Sequence, residues 1–137
     1  MIKNYYYFIV GILCVLFALT HAWNGQTLVL LVFDTVPIDL NTKTVFHYVW
    51  HIITAENLIF GTALLFMAFY KDLTKGRLVA WLIAIIMMGR WIVILSFTLF
   101  YTESTISQII PDSLAILVVI GLLILGTRVK SKDTHVE

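Results

Sequence analysis

His47 and His51 stand four residues apart in Phe46-His47-Tyr48-Val49-Trp50-His51, inside a stretch otherwise apolar enough to cross a membrane. On a helix an i, i+4 pair lies one turn apart on one face, so both imidazoles can reach one metal ion, one proton path or one polar ligand. Ionisable groups at membrane depth are costly, so function is the default reading. His21 is the nearest further candidate, whereas His135 lies in a polar tail and needs no functional explanation.

Metal leads among these chemistries. Neutral imidazoles suit Zn, Cu, Ni and Fe, while Mg and Ca prefer oxygen ligands. His47, His51 and a third nitrogen from His21 on an adjacent helix leave a position open for water, substrate or Asp112. Asp112 follows Pro111 at the start of the last apolar stretch, where a carboxylate complements the helix dipole. It is also a candidate fourth ligand or an acceptor for a histidine N–H. The expected cofactor is Cu, Zn or Fe, or haem. For haem, His47 and His51 project the same way and cannot be opposed axial ligands, so His21 must supply one of the two. The spacing H-x-x-x-H lacks the glutamate of a metalloprotease helix, and the chain has no phosphate loop, nucleophile elbow or basic aromatic strip for nucleic acid.

Glu56 does not belong to that set. It lies nine residues from His47, about half a turn around the helix. Counted from the outer ends of their segments, Glu56 is about 20 Å deep and Arg90 about 17 Å deep. Lone charges at matching depth predict an intramembrane Glu56/Arg90 ion pair, because either one alone is uncompensated in hydrocarbon. The pair serves either helix registry or proton transport, with Glu56 as carrier and Arg90 tuning it; Asn57 offers a further hydrogen bond.

These groups must be carried by membrane helices. Of 137 residues, 61% are hydrophobic and 12% charged, and the mean hydropathy is +0.96, which excludes an ordinary soluble domain. Four stretches reach the length of about 20 residues that a helical crossing needs: Tyr5 to Trp23, Lys43 to Tyr70, Arg77 to Tyr101 and Ser107 to Thr127. The fold class expected is an all-α integral membrane protein, one domain over residues 1–137, its short connections favouring an up-down-up-down bundle. Lys3, Lys71, Lys75, Arg77, Arg128, Lys130 and Lys132 gather at the termini and the second loop. The positive-inside rule then puts both termini in the cytoplasm, in a plasma (inner) membrane.

In that frame His47 lies about 6 Å and His51 about 12 Å below the outer end of the second segment, with His21 just inside the end of the first. Thr54 and Gly61 share the histidine face, and Gly61 invites close approach of a neighbouring helix. Asn24-Gly25 reads as a helix terminator, leaving Thr27 to Phe33 as an interfacial helix, strand or re-entrant cap. Asn41, Thr42 or Thr44 is expected to cap the second segment, Asp34 and Asp39 to be solvated loop charges, and Pro111 to sit in a first helical turn. Cys14, the one cysteine, is expected to be buried and inert. The first segment has signal-peptide character in Lys3 and its small residues Thr20 and Ala22, but its run is longer than a usual signal core, so it is read as a retained span.

Three functions are compatible with these residues: metal or metal-cofactor binding in redox chemistry or metal handling, a small proton-coupled transporter or channel using Glu56/Arg90, and an accessory subunit of a larger membrane complex. Nothing in the chain decides whether it is an enzyme. Beyond the lipid bilayer, the partners expected are a second copy, through the Gly61 or Gly121 face, or the other subunits of such a complex.

Overall fold

The computed structural model describes residues 1–70, 72–101 and 106–129; His135, Lys71, Lys130 and Lys132 lie outside them. Every regular element among the described residues is a helix, and no strand is present among them. The order is α1 (Tyr5–Asn24), a π-helical turn (Gly25–Val29), α2 (Leu30–Thr35), α3 (Leu40–Phe69), α4 (Leu73–Tyr101) and α5 (Ile106–Thr127). Four helical segments are long and apolar enough to cross a membrane: Tyr5–Thr35, Leu40–Phe69, Gly76–Phe100 and Ile109–Thr127.

Two boundaries differ from expectation. Asn24-Gly25 does not end the first helix. No described glycine has a positive φ, so no left-handed cap forms, and the chain takes one wider turn in which the Leu30 N–H bonds to the Gly25 carbonyl. The Thr27 to Phe33 stretch is therefore the continuation of the first span, not a separate interfacial element. Likewise α5 begins at Ile106, so Pro111 lies beyond its first turn. The missing N–H leaves the carbonyl of exposed Ser107 without its helical donor, which an exposed position tolerates.

The start of α3 is capped by Asp39, not by Asn41, Thr42 or Thr44. Its carboxylate accepts the Thr42 N–H at 2.9 Å and also the Thr42 hydroxyl, which satisfies one of the orphan donors of the first turn. These bonds favour the ionised form and hold the Asp39 carboxyl below its usual range. Lys43, one turn on, donates from Nζ to the Asp34 carbonyl at 3.2 Å.

The chain divides into two compact units, one of residues 1–10 and 66–137, the other Gly11–Leu65. In the second unit α1 and α3 meet through glycines: a Cβ placed on Gly61 would stand 2.9 Å from both the Gly11 carbonyl oxygen and the Val15 nitrogen. The expected close approach at Gly61 is thus made, and its partner is α1. Cys14, Ala18, Asn57, Phe60 and Leu64 are buried around this seam, Cys14 as a free thiol.

In the first unit α4 packs on α5; Ala80, Ile83, Ala84 and Met87 of α4 and Val119, Ile120 and Leu123 of α5 are buried. Asn4, 1% exposed, ties this unit together: its amide donates to the Gly126 carbonyl at 2.9 Å and its oxygen accepts the Tyr7 N–H. The Lys3 and Asn4 N–H groups both donate to the Ala68 carbonyl. Large apolar side chains such as Leu16, Ile59, Ile85 and Leu114 are exposed, while the small residues Gly11, Ala18, Gly61, Ala80 and Ala84 are buried, which lets helices pack closely in lipid.

Candidate histidine site

The polar centre of the second unit is built where the π turn faces the middle of α3. Gly25 owes its lack of a side chain to Trp50, because a Cβ there would fall inside van der Waals contact with the indole nitrogen. The indole N–H donates to the His21 carbonyl at 2.9 Å. The His21 ring lies flat on the Trp50 indole, with centroids 4.2 Å apart and planes within 5°. Trp50 thereby anchors α3 to the last turns of α1 by one hydrogen bond and one stacked face.

Gln26, the second residue of the π turn, reaches across to His51, with Nε2 of the amide 2.8 Å from Nε2 of the imidazole. An amide nitrogen only donates, so His51 accepts at Nε2 and carries its proton on Nδ1 in this arrangement. Nearer the start of α3, Phe46 stacks on Phe33 of α2 at 4.4 Å. His47, between these two anchor points, is half-buried.

Below His51 lies Thr54. The hydroxyls of Thr20, Thr27, Thr44 and Thr62 each donate to a carbonyl four residues back, the usual resting place of a helical threonine in an apolar setting. The Thr54 hydroxyl is buried and has no hydrogen-bond partner among the described residues.

His21 is thus tied to Trp50 and His51 to Gln26, with His47 one helical turn along α3; the expected clustering of the three histidines about one point is not seen. Along the helices His21 precedes Thr35 by about 20 Å and His51 follows Leu40 by about 17 Å, because the first span continues through the π turn to Thr35 and α3 starts at Leu40. Among the described residues no three His, Cys, Asp or Glu side chains group as a metal-holding set. Asp112 is exposed on α5, in the other unit. Glu56 and Arg90 are both half-buried, Glu56 on α3 in the second unit and Arg90 on α4 in the first. Comparison with protein-family models, curated proteins and solved structures finds no match. Function must therefore be argued from the side chains themselves.

Gln26 and Trp50 are the site residues that sequence reasoning did not select. Trp50 resembles any interfacial aromatic, and Gln26 is one amide in a turn. The available signal was their combination: a glycine and an amide interrupting an apolar run that resumes at once.

Proposed function

We infer that this chain is a helical-bundle membrane protein that binds a transition metal or a metal-centred cofactor through His51 and His47. The Gln26 to His51 bond of 2.8 Å carries the reading. It holds one ring nitrogen from a second helix and leaves the other for a ligand, which is how metal-bound histidines are oriented. A metal held at Nδ1 would leave the ring proton on Nε2, where the Gln26 amide, turned to present its oxygen, would accept it. His47 would be the second ligand. His21, braced against Trp50, is the third candidate nitrogen. Two or three imidazoles suit Cu, Zn or Fe and leave open positions, as a carried or reactive metal requires and a closed structural site does not.

We assign both termini to the cytoplasmic side of a plasma (inner) membrane, in an up-down-up-down arrangement. The gathering of Lys3, Lys71, Lys75, Arg77 and Arg128 at one set of helix ends supports this. So do the bonds of Lys3 and Asn4 to Ala68 and Gly126 in the first unit, which join the start of α1 to the ends of α3 and α5.

Metal analysis and an optical spectrum of protein purified without chelator test the reading. Stoichiometric metal or haem is expected, falling at least tenfold when His47→Ala and His51→Ala are combined. Its absence from the wild-type protein sinks the proposal. A second reading, proton-coupled transport, draws on the polar series Thr54, Glu56 and Asn57 that continues along α3 from His51. Proton-coupled uptake in proteoliposomes that survives Glu56→Gln removes Glu56 as carrier.

A further inference from the structure

Among the described residues of the first unit, three buried side-chain polar atoms have no hydrogen-bond partner: the Tyr7 hydroxyl, Arg77 Nε and Trp91 Nε1, of which the first two belong to residues near the helix ends. Tyr7 is fully buried, and its hydroxyl has no hydrogen-bond partner among the described residues; the same is true of Arg77 Nε. Arg77 itself is half-buried and spends one terminal nitrogen on the Val129 carbonyl, at 3.1 Å.

The tyrosine is held edge-on in a slot cleared by two glycines. Its Cε1 lies 2.5 Å from where a Cβ would stand on Gly126, and its Cε2 3.5 Å from the same point on Gly76. The hydroxyl sits between those two ring carbons, so it is directed into the gap between the last turn of α5 and the first turns of α4, where Arg77 follows Gly76 in the chain. A phenylalanine fills the same slot and buries no polar atom. A hydroxyl left unpaired there is a cost without a structural return, which calls for a ligand.

We propose that Tyr7 and Arg77 form a phosphate site, in which one phosphate oxygen accepts from the Tyr7 hydroxyl and from Arg77 Nε–H. Two donors, one of them cationic, select an anionic oxygen. The site lies where the Tyr5–Thr35 and Gly76–Phe100 spans begin and the Ile109–Thr127 span ends. That is headgroup depth, where basic pockets between helices take acidic phospholipids. Lys3 and Arg128 are exposed at the same helix ends, with Asp72 the nearby carboxylate. The source of the phosphate is an anionic lipid headgroup or the free ion.

The test is unfolding of the full chain in an uncharged detergent, with added phosphatidylglycerol, a diacylglycerol of the same acyl chains, or inorganic phosphate at matched ionic strength. Phosphatidylglycerol is expected to raise the midpoint and the phosphate-free diacylglycerol to leave it in place. Tyr7→Phe should be at least as stable as wild type without lipid, yet bind phosphatidylglycerol about tenfold more weakly, about 1.4 kcal/mol. A response to inorganic phosphate that Tyr7→Phe also weakens makes the free ion the source; a response to phosphatidylglycerol alone makes it the lipid. Equal action of the two lipids, or a Tyr7→Phe response identical to wild type, overturns the site. Arg77→Gln should abolish the response, and Tyr7→Phe decides the matter if that variant does not fold.

Discussion

The same kinds of residue join α1 to its neighbours in both units, yet they do different work. In the first unit an aromatic ring, Tyr7, lies against Gly126, and an amide, Asn4, reaches across to another helix. In the second, Trp50 lies against Gly25 and Gln26 reaches across to α3. The difference is what the amide meets. Asn4 is buried and bonds to backbone groups, which cannot change protonation or leave. Gln26 is exposed and bonds to an imidazole, which can change its tautomer, its charge or its ligand. An amide on a carbonyl fixes register; an amide on a histidine sets the state of a site.

Both contrast with the glycine seam that holds α1 to α3, and breaking that seam should have the largest effect. Gly61→Val brings side-chain atoms against the backbone of Gly11 and Val15, which cannot rotate aside. The helices must separate, and a loss of about 3 kcal/mol is expected in unfolding from detergent. A near-neutral result would mean that the seam does not hold the two helices together.

The two amides give the next largest difference. Asn4→Ala strands the Tyr7 N–H in a buried setting and takes one of two donors from the Gly126 carbonyl, which keeps the Val129 N–H, and should cost about 2 kcal/mol. Gln26→Ala, at an exposed position, should cost about 0.5 kcal/mol or less, while weakening any metal bound by His51 tenfold or more through loss of the orienting partner. Equal stability losses in the two variants would erase the distinction between register and site. Trp50→Phe lies between them. It keeps a ring against Gly25 and His21 but removes the donor to the His21 carbonyl, for an expected loss of about 1 kcal/mol.

Much of the fold is legible without coordinates because apolar length and charge placement speak for themselves. The spans, the buried Cys14 and the close approach at Gly61 follow from composition along the chain. The π turn does not. Asn24-Gly25 carries the same residues as a helix stop, and only the Trp50 indole, twenty-five residues further on from Gly25, explains why a glycine stands there without ending the helix. For the same reason the spacing of His47 and His51 on one helix is visible early, whereas the partner of His51 is not. Gln26 enters the site through a turn whose extra residue shifts the helical face, and no periodic pattern announces that shift. The cap of α3 escaped for a humbler reason: α3 starts at Leu40, ahead of the threonines that look like caps.

That cap supplies the smallest effect and the cleanest sign. Asp39 accepts from the Thr42 N–H and hydroxyl, and its folded-state carboxyl is held below the ordinary carboxylate range chiefly by the Thr42 side chain. A depressed folded value means that the cap contributes fully above the unfolded value and is lost as pH falls through the folded one. Amide exchange at Thr42, compared between wild type and Asp39→Ala at each pH, should show protection by Asp39 that is constant near neutrality and fades in acid below the usual carboxylate range. Asp39→Asn keeps an acceptor for the same N–H without a charge to lose, so its protection relative to Asp39→Ala should not fade with pH. If the wild-type and asparagine curves run parallel into acid, ionisation of Asp39 contributes nothing to the start of α3. The cap is then held by its geometry alone, like the Asn4 bonds in the other unit.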